Sequence, residues 1–317
     1  MKNILVSILI PIYNSEEWIS DTLMSCLNQT HKNIEIILVD DGSTDNSLLE
    51  ISKIKDSRVN VISQANKGAC TARNLALKNS KGEWVQFLDA DDIMHPQKIE
   101  FQLKAIIEFP NANFLVSDLK KFTGSLSEID LKSTSIDPKF SKISSESYIY
   151  NSGYTYPIAI LLKRELITNN LLWQEDLIVN QDKMFFLPII VKVKNIVMVK
   201  NALSFYRTAN TKSISGTITL KKAEVLLETY KQIAHLLKES YTDNKTLIPI
   251  KENLCLNYYG SFSKTNHLRA STSLLINELG GWTIPRNLSN KYNFASKILG
   301  IKTVLRLRHL KTVLFKN

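Results

Sequence analysis

Apolar runs and helical stripes alternate through the first third of the chain. Ile4 to Ile12 is a nearly unbroken apolar run and predicts a strand. After the polar Asn14-Ser15-Glu16-Glu17, the positions Ile19, Leu23, Cys26 and Leu27 recur at helical spacing, and the two glutamates fall in the first turn, where the helix macrodipole favours acids. Ile34 to Val39 is a second strand. A short helix carrying Leu48, Leu49, Ile51 and Ile54 follows the turn residues Gly42-Ser43-Thr44-Asp45. Val59 to Ile62 is a third strand. Gly68 opens a helix with Ala69, Ala72, Leu75 and Ala76 on one side, and Lys81-Gly82 closes it before a fourth strand at Glu83 to Leu88. Apolar strands alternating with helices predict the α/β class: a mostly parallel central sheet flanked by helices.

The pattern loosens afterwards. Ser125 to Ser147 is rich in serine and threonine and weakly periodic, which predicts an exposed connection. Tyr156 to Leu162 and Ile196 to Tyr206 read as strands, with a helix from about Asp182 to Val191 between them. Lys221 to Tyr241 is an amphipathic helix, with Ala223, Leu226, Leu227, Tyr230, Ile233, Ala234, Leu237 and Tyr241 on one stripe, expected to pack onto the sheet-bearing part of the chain. No internal repeat is present.

Composition narrows the class. With 317 residues, 44% hydrophobic and 22% charged, the chain can bury a sizeable core and is not of the disordered type. The three cysteines, Cys26, Cys70 and Cys255, are far apart and form no C-x-x-C pair, which argues against a disulfide framework or zinc site and fits a reducing cytosol. The first apolar run is interrupted by Pro11 and lacks a small-residue cleavage site, so it reads as a strand and not a leader. No later run approaches the roughly 18–20 apolar residues that span a bilayer. The net charge of +10 is concentrated at the end: after Glu278 there is no acid, while Arg286, Lys291, Lys297, Lys302, Arg306, Arg308, Lys311 and Lys316 contribute eight cations.

The candidate chemistry sits in four turns that each follow a strand: Pro11-Ile12-Tyr13-Asn14, Asp40-Asp41-Gly42-Ser43, Asn66-Lys67-Gly68 and Asp89-Ala90-Asp91. In parallel α/β sheets, ligands bind beyond the carboxyl ends of the strands, so all four turns are expected along one edge. Asp89, Asp91 and Asp92 put three carboxylates within four positions. Their repulsion calls for a cation, and Mg²⁺ or Mn²⁺ accepts one or two carboxylates plus phosphate oxygens. The plainer alternative is a set of solvated aspartates capping the helix that begins near Pro96.

Those motifs, together with Val39-Asp40-Asp41-Gly42-Ser43-Thr44-Asp45, Ala72-Arg73-Asn74 and Phe87-Leu88-Asp89-Ala90-Asp91-Asp92, stand in an order and spacing that resembles the family 2 glycosyltransferases of the GT-A fold. The resemblance is strong over residues 3–110, weaker to about 216 and absent beyond. It implies a GT-A catalytic domain over 1–218, with a Rossmann-like nucleotide-sugar-binding half at 1–118 and an acceptor-binding half at 119–218, then a C-terminal helical region with a basic tail over 219–317. It also implies roles. Asp41 would accept a hydrogen bond from uracil, with Pro11, Tyr13 and Asn14 beside the base. Arg73 and Lys67, next to Gly68, would lie near the nucleotide. Asp91 would bind Mn²⁺ or Mg²⁺, with Asp89, next to Ala90, contacting ribose and supporting the metal shell. The general base would be Asp182, in Asn180-Gln181-Asp182, where Gln181 stands in place of the usual Glu; Glu175-Asp176 is the rival. Tyr206-Arg207 and Ser213-Ile214-Ser215 resemble the family's closing segment, although Ala209 replaces its histidine, and Arg207 would either meet the diphosphate or be structural.

The implied activity is inverting transfer of a sugar from a UDP-sugar to a hydroxyl of a glycan acceptor, lipid-linked, in bacterial O-antigen, capsule or lipooligosaccharide assembly at the cytoplasmic face of the membrane. Phe294, Ile298, Ile301 and Leu305 follow helical spacing among the terminal cations, which points that stripe at anionic lipid or a lipid-linked diphosphate acceptor; a solvated tail is the bland alternative. Two other classes stay open: a catalytically silent nucleotide-sugar-binding scaffold, suggested by Gln181 and Ala209, and an RNA-binding protein using the tail. No recognised nucleic-acid motif supports the second, and no nucleic-acid partner is expected.

Overall fold

A computed structural model describes the chain except for residues 1, 2, 132–136, 152–154, 169, 209–217, 287, 289–291, 293, 294, 297, 298 and 315–317. Ala209, Ser213-Ile214-Ser215, Phe294 and Ile298 therefore lie outside the described residues. The chain divides into two compact units: Met1–Ser145, Tyr154–Leu177 and Gln181–Ser213 form one, and Glu146–Gly153, Ile178–Asn180 and Ile214–Asn317 the other.

The first unit is built on β1 (Val6–Ile12), every residue of which is buried. It pairs in parallel with β2 (Ile34–Asp40), from Val6 opposite Ile34 to Ile12 opposite Asp40, and on its other side with β4 (Trp84–Phe87). β3 (Val59–Ser63) lies at the sheet margin beside β2, which is why Asn60 and Val61 are exposed while β1 has no polar face. The remaining strands are β5 (Ile93–Met94), β6 (Phe114–Phe122), β7 (Lys139–Ser144), β8 (Ile160–Lys163) and β9 (Asn195–Arg207). The order is β3-β2-β1-β4-β8-β6-β9-β5, with β7 also on β9. β8 runs antiparallel to β4 and β6, while β6 and β9 are parallel. The sheet is thus mixed, with a parallel half carrying β1 to β4.

The helices α1 (Ile19–Leu27), α2 (Ser47–Ser52), α3 (Ala69–Lys78), α4 (Lys98–Glu108), α5 (Ser145–Asn151) and α6 (Gln181–Ile190) connect these strands. Ile19, Leu23 and Cys26 of α1, with Ile99, Leu103 and Ala105 of α4, close one large core over Ile8, Ile10, Ile36 and Leu38.

Two features differ from the pattern in the sequence. The Ser/Thr-rich stretch contains β7 and the start of α5; Lys139-Phe140-Ser141-Lys142-Ile143-Ser144 has only two apolar residues, Phe140 and Ile143, half-buried and three apart, so no period-two alternation marks it as a strand, and it is held by its pairing with β9. The other is the bend in β9. Asn201 adopts φ 69°, a left-handed conformation that asparagine tolerates, and its N–H donates to Asp118 Oδ2 at 2.9 Å. The register against β6 shifts between Ser117 and Leu119. Beyond the bend, Phe205 pairs with Ile93, which brings Tyr206 and Arg207 to the loop after β4.

The second unit carries α7 (Leu220–Ser240), α8 (Ile248–Asn257), α9 (Asn266–Glu278) and α10 (Ile301–Leu314). Thr219 and Thr265 cap α7 and α9 by accepting from Lys222 N and Leu268 N. The buried stripe of α7, from Ala223 to Leu237, meets α9 and the 3-10 turns Asn244–Leu247 and Ser261–Ser263 of its own unit. Arg286 holds Glu252 through its Nε at 2.9 Å and lies 4.4 Å over the ring of Tyr150. No helix among the described residues is long and apolar enough to cross a membrane. Leu305 is buried, at 3% exposure, so the lipid-facing stripe expected from Ile301 and Leu305 points inward instead.

Candidate functional site

Because β1, β2, β3 and β4 are parallel, the four polar turns leave the sheet at one edge. The first two are laced together. Asn14, at φ 48°, accepts from Thr44 N at 2.8 Å through its side chain, while its own N–H donates to Ser43 Oγ at 3.0 Å. Ser15 N donates to Ser47 Oγ and Glu16 N to Asp45 Oδ2. Pro11 is buried inside β1, and Tyr13 projects from the loop with half its surface exposed.

Asp41 is 3% exposed and organises the third turn. Its carboxylate accepts from Gln64 Nε2 at 2.7 Å, Lys67 N at 2.8 Å and Gly68 N at 2.8 Å. A carboxylate offers about four acceptor positions, so roughly one remains for an outside donor. Gly42, at φ 72°, lets the chain turn back here; a Cβ on it would meet Asn66 N at 3.0 Å. Gly68, at φ 94°, starts α3, and Lys67 stands exposed beside it.

α3 then delivers Arg73 and Asn74. Arg73 is 5% exposed; its Nη2 donates to Asp89 Oδ1 at 2.8 Å, its Nη1 to Gln181 Oε1 at 3.2 Å, and its guanidinium lies 4.4 Å over the Trp173 ring. One buried cation therefore ties the loop after β4 to the first turn of α6. Asn74 grips the segment before α6: its amide donates to Trp173 O at 2.8 Å and Glu175 Oε1 at 3.0 Å, and its Oδ1 accepts from Trp173 N at 3.0 Å. Trp173 stacks on Phe185 at 4.3 Å, and Phe87, Phe185 and Phe186 meet edge to face around it. Sequence reasoning placed Asn74 in a motif without giving it a role, and missed Trp173. The signal was Asn74 directly after Arg73 on the helix and Trp173 two residues before Glu175.

Asp182 lies in the first turn of α6, half-buried. Burial pushes its carboxyl up to about 7, with Arg73 opposing and Asp89 adding to the rise. Glu175 and Asp176, the rival pair, are exposed, and Glu175 is engaged by Asn74.

The acidic loop is pinned from below. Ala90 is buried and its carbonyl accepts from Thr22 Oγ1 at 2.9 Å. Asp92 is 1% exposed and accepts from Arg207 N at 3.0 Å; burial, then Asp89 and Asp91, hold its carboxyl well above the usual carboxylate range. Arg207 is held within the fold by two of its three guanidinium nitrogens, while its Nη2 has no hydrogen-bond partner among the described residues. Its Nε donates to Asp91 O at 2.7 Å, its Nη1 to Gly124 O, and its guanidinium is sandwiched between Trp18 at 4.1 Å and Phe122 at 4.5 Å. Asp89 and Asp91 retain partial exposure. Among the described residues no group of three or more His, Cys, Asp or Glu side chains is placed to hold a metal. The donor set is two hard carboxylates, which fits Mg²⁺ or Mn²⁺ only if other oxygens complete the shell.

Known proteins share the sequence pattern and the fold. The model of Glycosyl transferase family 2 matches residues 7–167, about half of the chain. An uncharacterized glycosyltransferase of Haemophilus influenzae is 32% identical over 219 residues, covering 67% of this chain and 82% of its own. The Escherichia coli UDP-Glc:alpha-D-GlcNAc-diphosphoundecaprenol beta-1,3-glucosyltransferase WfaP is 51% identical over 100 residues, 31% of this chain and 40% of that one. Among solved structures, S. aureus TarS 1-349 in complex with UDP-GlcNAc superposes with a TM-score of 0.67 at 19% identity, covering 86% of this chain and 80% of that one; at this identity the likeness speaks to the GT-A fold alone. With the matched segment running from β1 through β8 and containing all four polar turns, the chain belongs to glycosyltransferase family 2.

Proposed function

We propose that the protein is an inverting glycosyltransferase that moves a sugar from a UDP-sugar to a hydroxyl of a lipid-linked glycan during bacterial surface-polysaccharide assembly, as in O-antigen, capsule or lipooligosaccharide synthesis. The observation that carries this reading is the Arg73 bridge, which draws Asp89 of the nucleotide-side loop and the Gln181-Asp182 turn of α6 onto one guanidinium. A donor held at the first and an acceptor held at the second would meet within one site. The donor and acceptor named for the E. coli relative supply the chemical class, a nucleotide sugar and a sugar on a polyprenyl diphosphate.

Pro11, Tyr13 and Asn14 would flank the uracil, and the free acceptor position of Asp41 would take its N–H. Lys67 would add charge near the nucleotide. Arg73 would hold Asp89 in place for the ribose. Asp91 and Asp89 would hold Mn²⁺ or Mg²⁺, which supplies neutralisation of the charge developing on the leaving diphosphate. Asp182 takes the proton from the acceptor hydroxyl as that oxygen bonds to the anomeric carbon. The bond from that carbon to the diphosphate oxygen breaks, its electron pair leaves with UDP, and the single displacement inverts the configuration. The protein would work at the cytoplasmic face of the membrane. Arg207 is assigned to holding the Asp91-Asp92 loop and not to contact with the diphosphate.

Calorimetric titration with UDP, GDP and dTDP, each with Mn²⁺ and with EDTA, tests the donor side. UDP-selective binding that needs metal and is lost in Asp91→Asn is expected. Absence of nucleotide binding under every condition would sink the reading and favour a scaffold.

A further inference from the structure

α10 is docked by one side and open on the other. Val304 and Leu305 are each 3% exposed, and His309 faces Gly260, where a Cβ would lie 3.3 Å from its Cε1. The opposite side carries Leu307 and Leu310, 52% and 47% exposed, and Leu299 just before the helix is 51% exposed. Lys302, Arg306 and Lys311 are exposed around them, and Lys302 Nζ is steadied 4.7 Å over the Trp282 ring. Lys302, Arg306 and Leu310 follow at four-residue steps and Leu307 lies three before Leu310, so cations and leucines share a single face.

Single exposed leucines are ordinary. What sets this face apart is its company: from Leu279 to Asn317 the sequence has no acidic side chain to neutralise the cations. A second copy of the chain would bring two cationic rows together, which is repulsive. A nucleic acid would gain nothing from the leucines, and α10 itself carries no Phe, Tyr or Trp for base stacking. A bilayer with anionic headgroups satisfies both halves, since leucines enter the acyl boundary while lysine and arginine meet the headgroups.

We propose that the Leu307/Leu310 face of α10, flanked by Lys302, Arg306 and Lys311, is a docking surface for an anionic membrane. The proposal builds on the reading of a lipid-linked acceptor, but specifies a surface that the spacing of Ile301 and Leu305 misassigns.

The test is co-sedimentation of the full chain, without nucleotide, with vesicles of phosphatidylcholine containing phosphatidylglycerol and with vesicles of phosphatidylcholine alone, at low and high salt. Binding is expected to the anionic vesicles only and to fall with salt. Leu307→Ser/Leu310→Ser should weaken it about tenfold or more at an unchanged melting temperature, and Lys302→Gln/Arg306→Gln/Lys311→Gln should weaken it comparably and flatten the salt dependence. Leu307→Trp should gain lipid-dependent fluorescence that brominated lipid quenches, measured as the difference from the parent chain. Equal binding by the parent and both multiple variants would overturn the proposal. So would equal binding to neutral vesicles, a dimer lost in the same variants, or lipid binding with no spectral change at position 307. UDP titration of the same variants separates the two readings: intact nucleotide binding with lost vesicle binding supports the surface, whereas a parent chain that binds vesicles but no nucleotide leaves the surface standing and removes the transferase.

Discussion

Arg73 gathers the charges of the candidate site. Its side chain is buried, yet its hydrogen-bonded partners are one carboxylate, Asp89, and one neutral amide, Gln181. A Glu at position 181 would add a second formal charge beside Asp182; with Gln there, Asp182 shares Arg73 with Asp89 alone. Since burial already brings the Asp182 carboxyl up to about 7, the fraction competent as a base is set near neutral pH. The base works deprotonated, so protons switch it off: transfer to acceptor should fall about tenfold per pH unit below that value and level off above it. Asp182→Asn should lower kcat by roughly 10²–10⁴ and leave UDP affinity intact. A pH–rate profile, with titration of the variant beside it, checks both. An acid limb that survives the substitution would move the role to Glu175-Asp176. The acids themselves stood out in the sequence, but their partners did not. Nothing in the spacing distinguishes an Arg73 that contacts nucleotide from one that bridges two loops, because that depends on Gln181, 108 positions further along the chain, folding back onto α3.

Elements were legible where burial repeats locally. β1 and β2 are apolar enough that the pattern places them within a residue or two, and the stripe of α1 is read correctly although Glu16 and Glu17 precede the helix instead of lying in its first turn, whereas β6 went unmarked because Asp118, Lys120 and Lys121 interrupt its second half. β7 was hidden for a related reason: its two apolar residues, Phe140 and Ile143, stand three apart among lysines and serines and show no alternation. α4 shows a different limit. Its first residue, Lys98, is fully buried, with Nζ donating to Gln86 Oε1 on β4 and to Gln102 Oε1 at 2.8 Å. Two amide oxygens accept from it without neutralising its charge, and burial lowers the amine from 10.5 to about 7. The unfolded chain keeps that proton until near its ordinary value, so between the two the unfolded state binds more protons and stability rises with pH. Lys98→Met should remove this rise; at pH 7 the relief of the buried charge is offset by the loss of the donor to Gln86 Oε1 and Gln102 Oε1, so the flat pH dependence is the expected signature and not a gain in stability. Urea unfolding of parent and variant at pH 7 and at pH 9.5 measures it. A parent curve as flat as the variant's between those values would mean that the amine is not depressed.

On the scale of the whole molecule, every polar turn and both candidate acids of the site belong to the first unit, while the basic terminus belongs to the second. The proposed nucleotide site was readable because its candidate residues are concentrated in short turns after strands. The proposed membrane surface was only half readable, because charge shows in a sequence but the outward face of α10 depends on which side packs against the rest of its unit. This separation makes ligand effects local. UDP with Mn²⁺ at about 100 times its Kd adds roughly 2.7 kcal/mol to the state that binds it. The first amides to feel it are those of the loops it would bridge, at residues 11–16, 40–47, 64–68 and 89–92, whose order already depends on mutual hydrogen bonds such as Asn14 to Thr44 and Asp41 to Gly68. Hydrogen exchange of the full chain should therefore slow in those four loops on adding nucleotide and metal, with α7 to α9 slowing only as far as the two units unfold together. Anionic vesicles without nucleotide should instead slow exchange in α10 and leave the four loops as they were. If nucleotide protected α10 and not the loops after β1, β2 and β4, the assignment of the two ligand chemistries to the two units would be wrong.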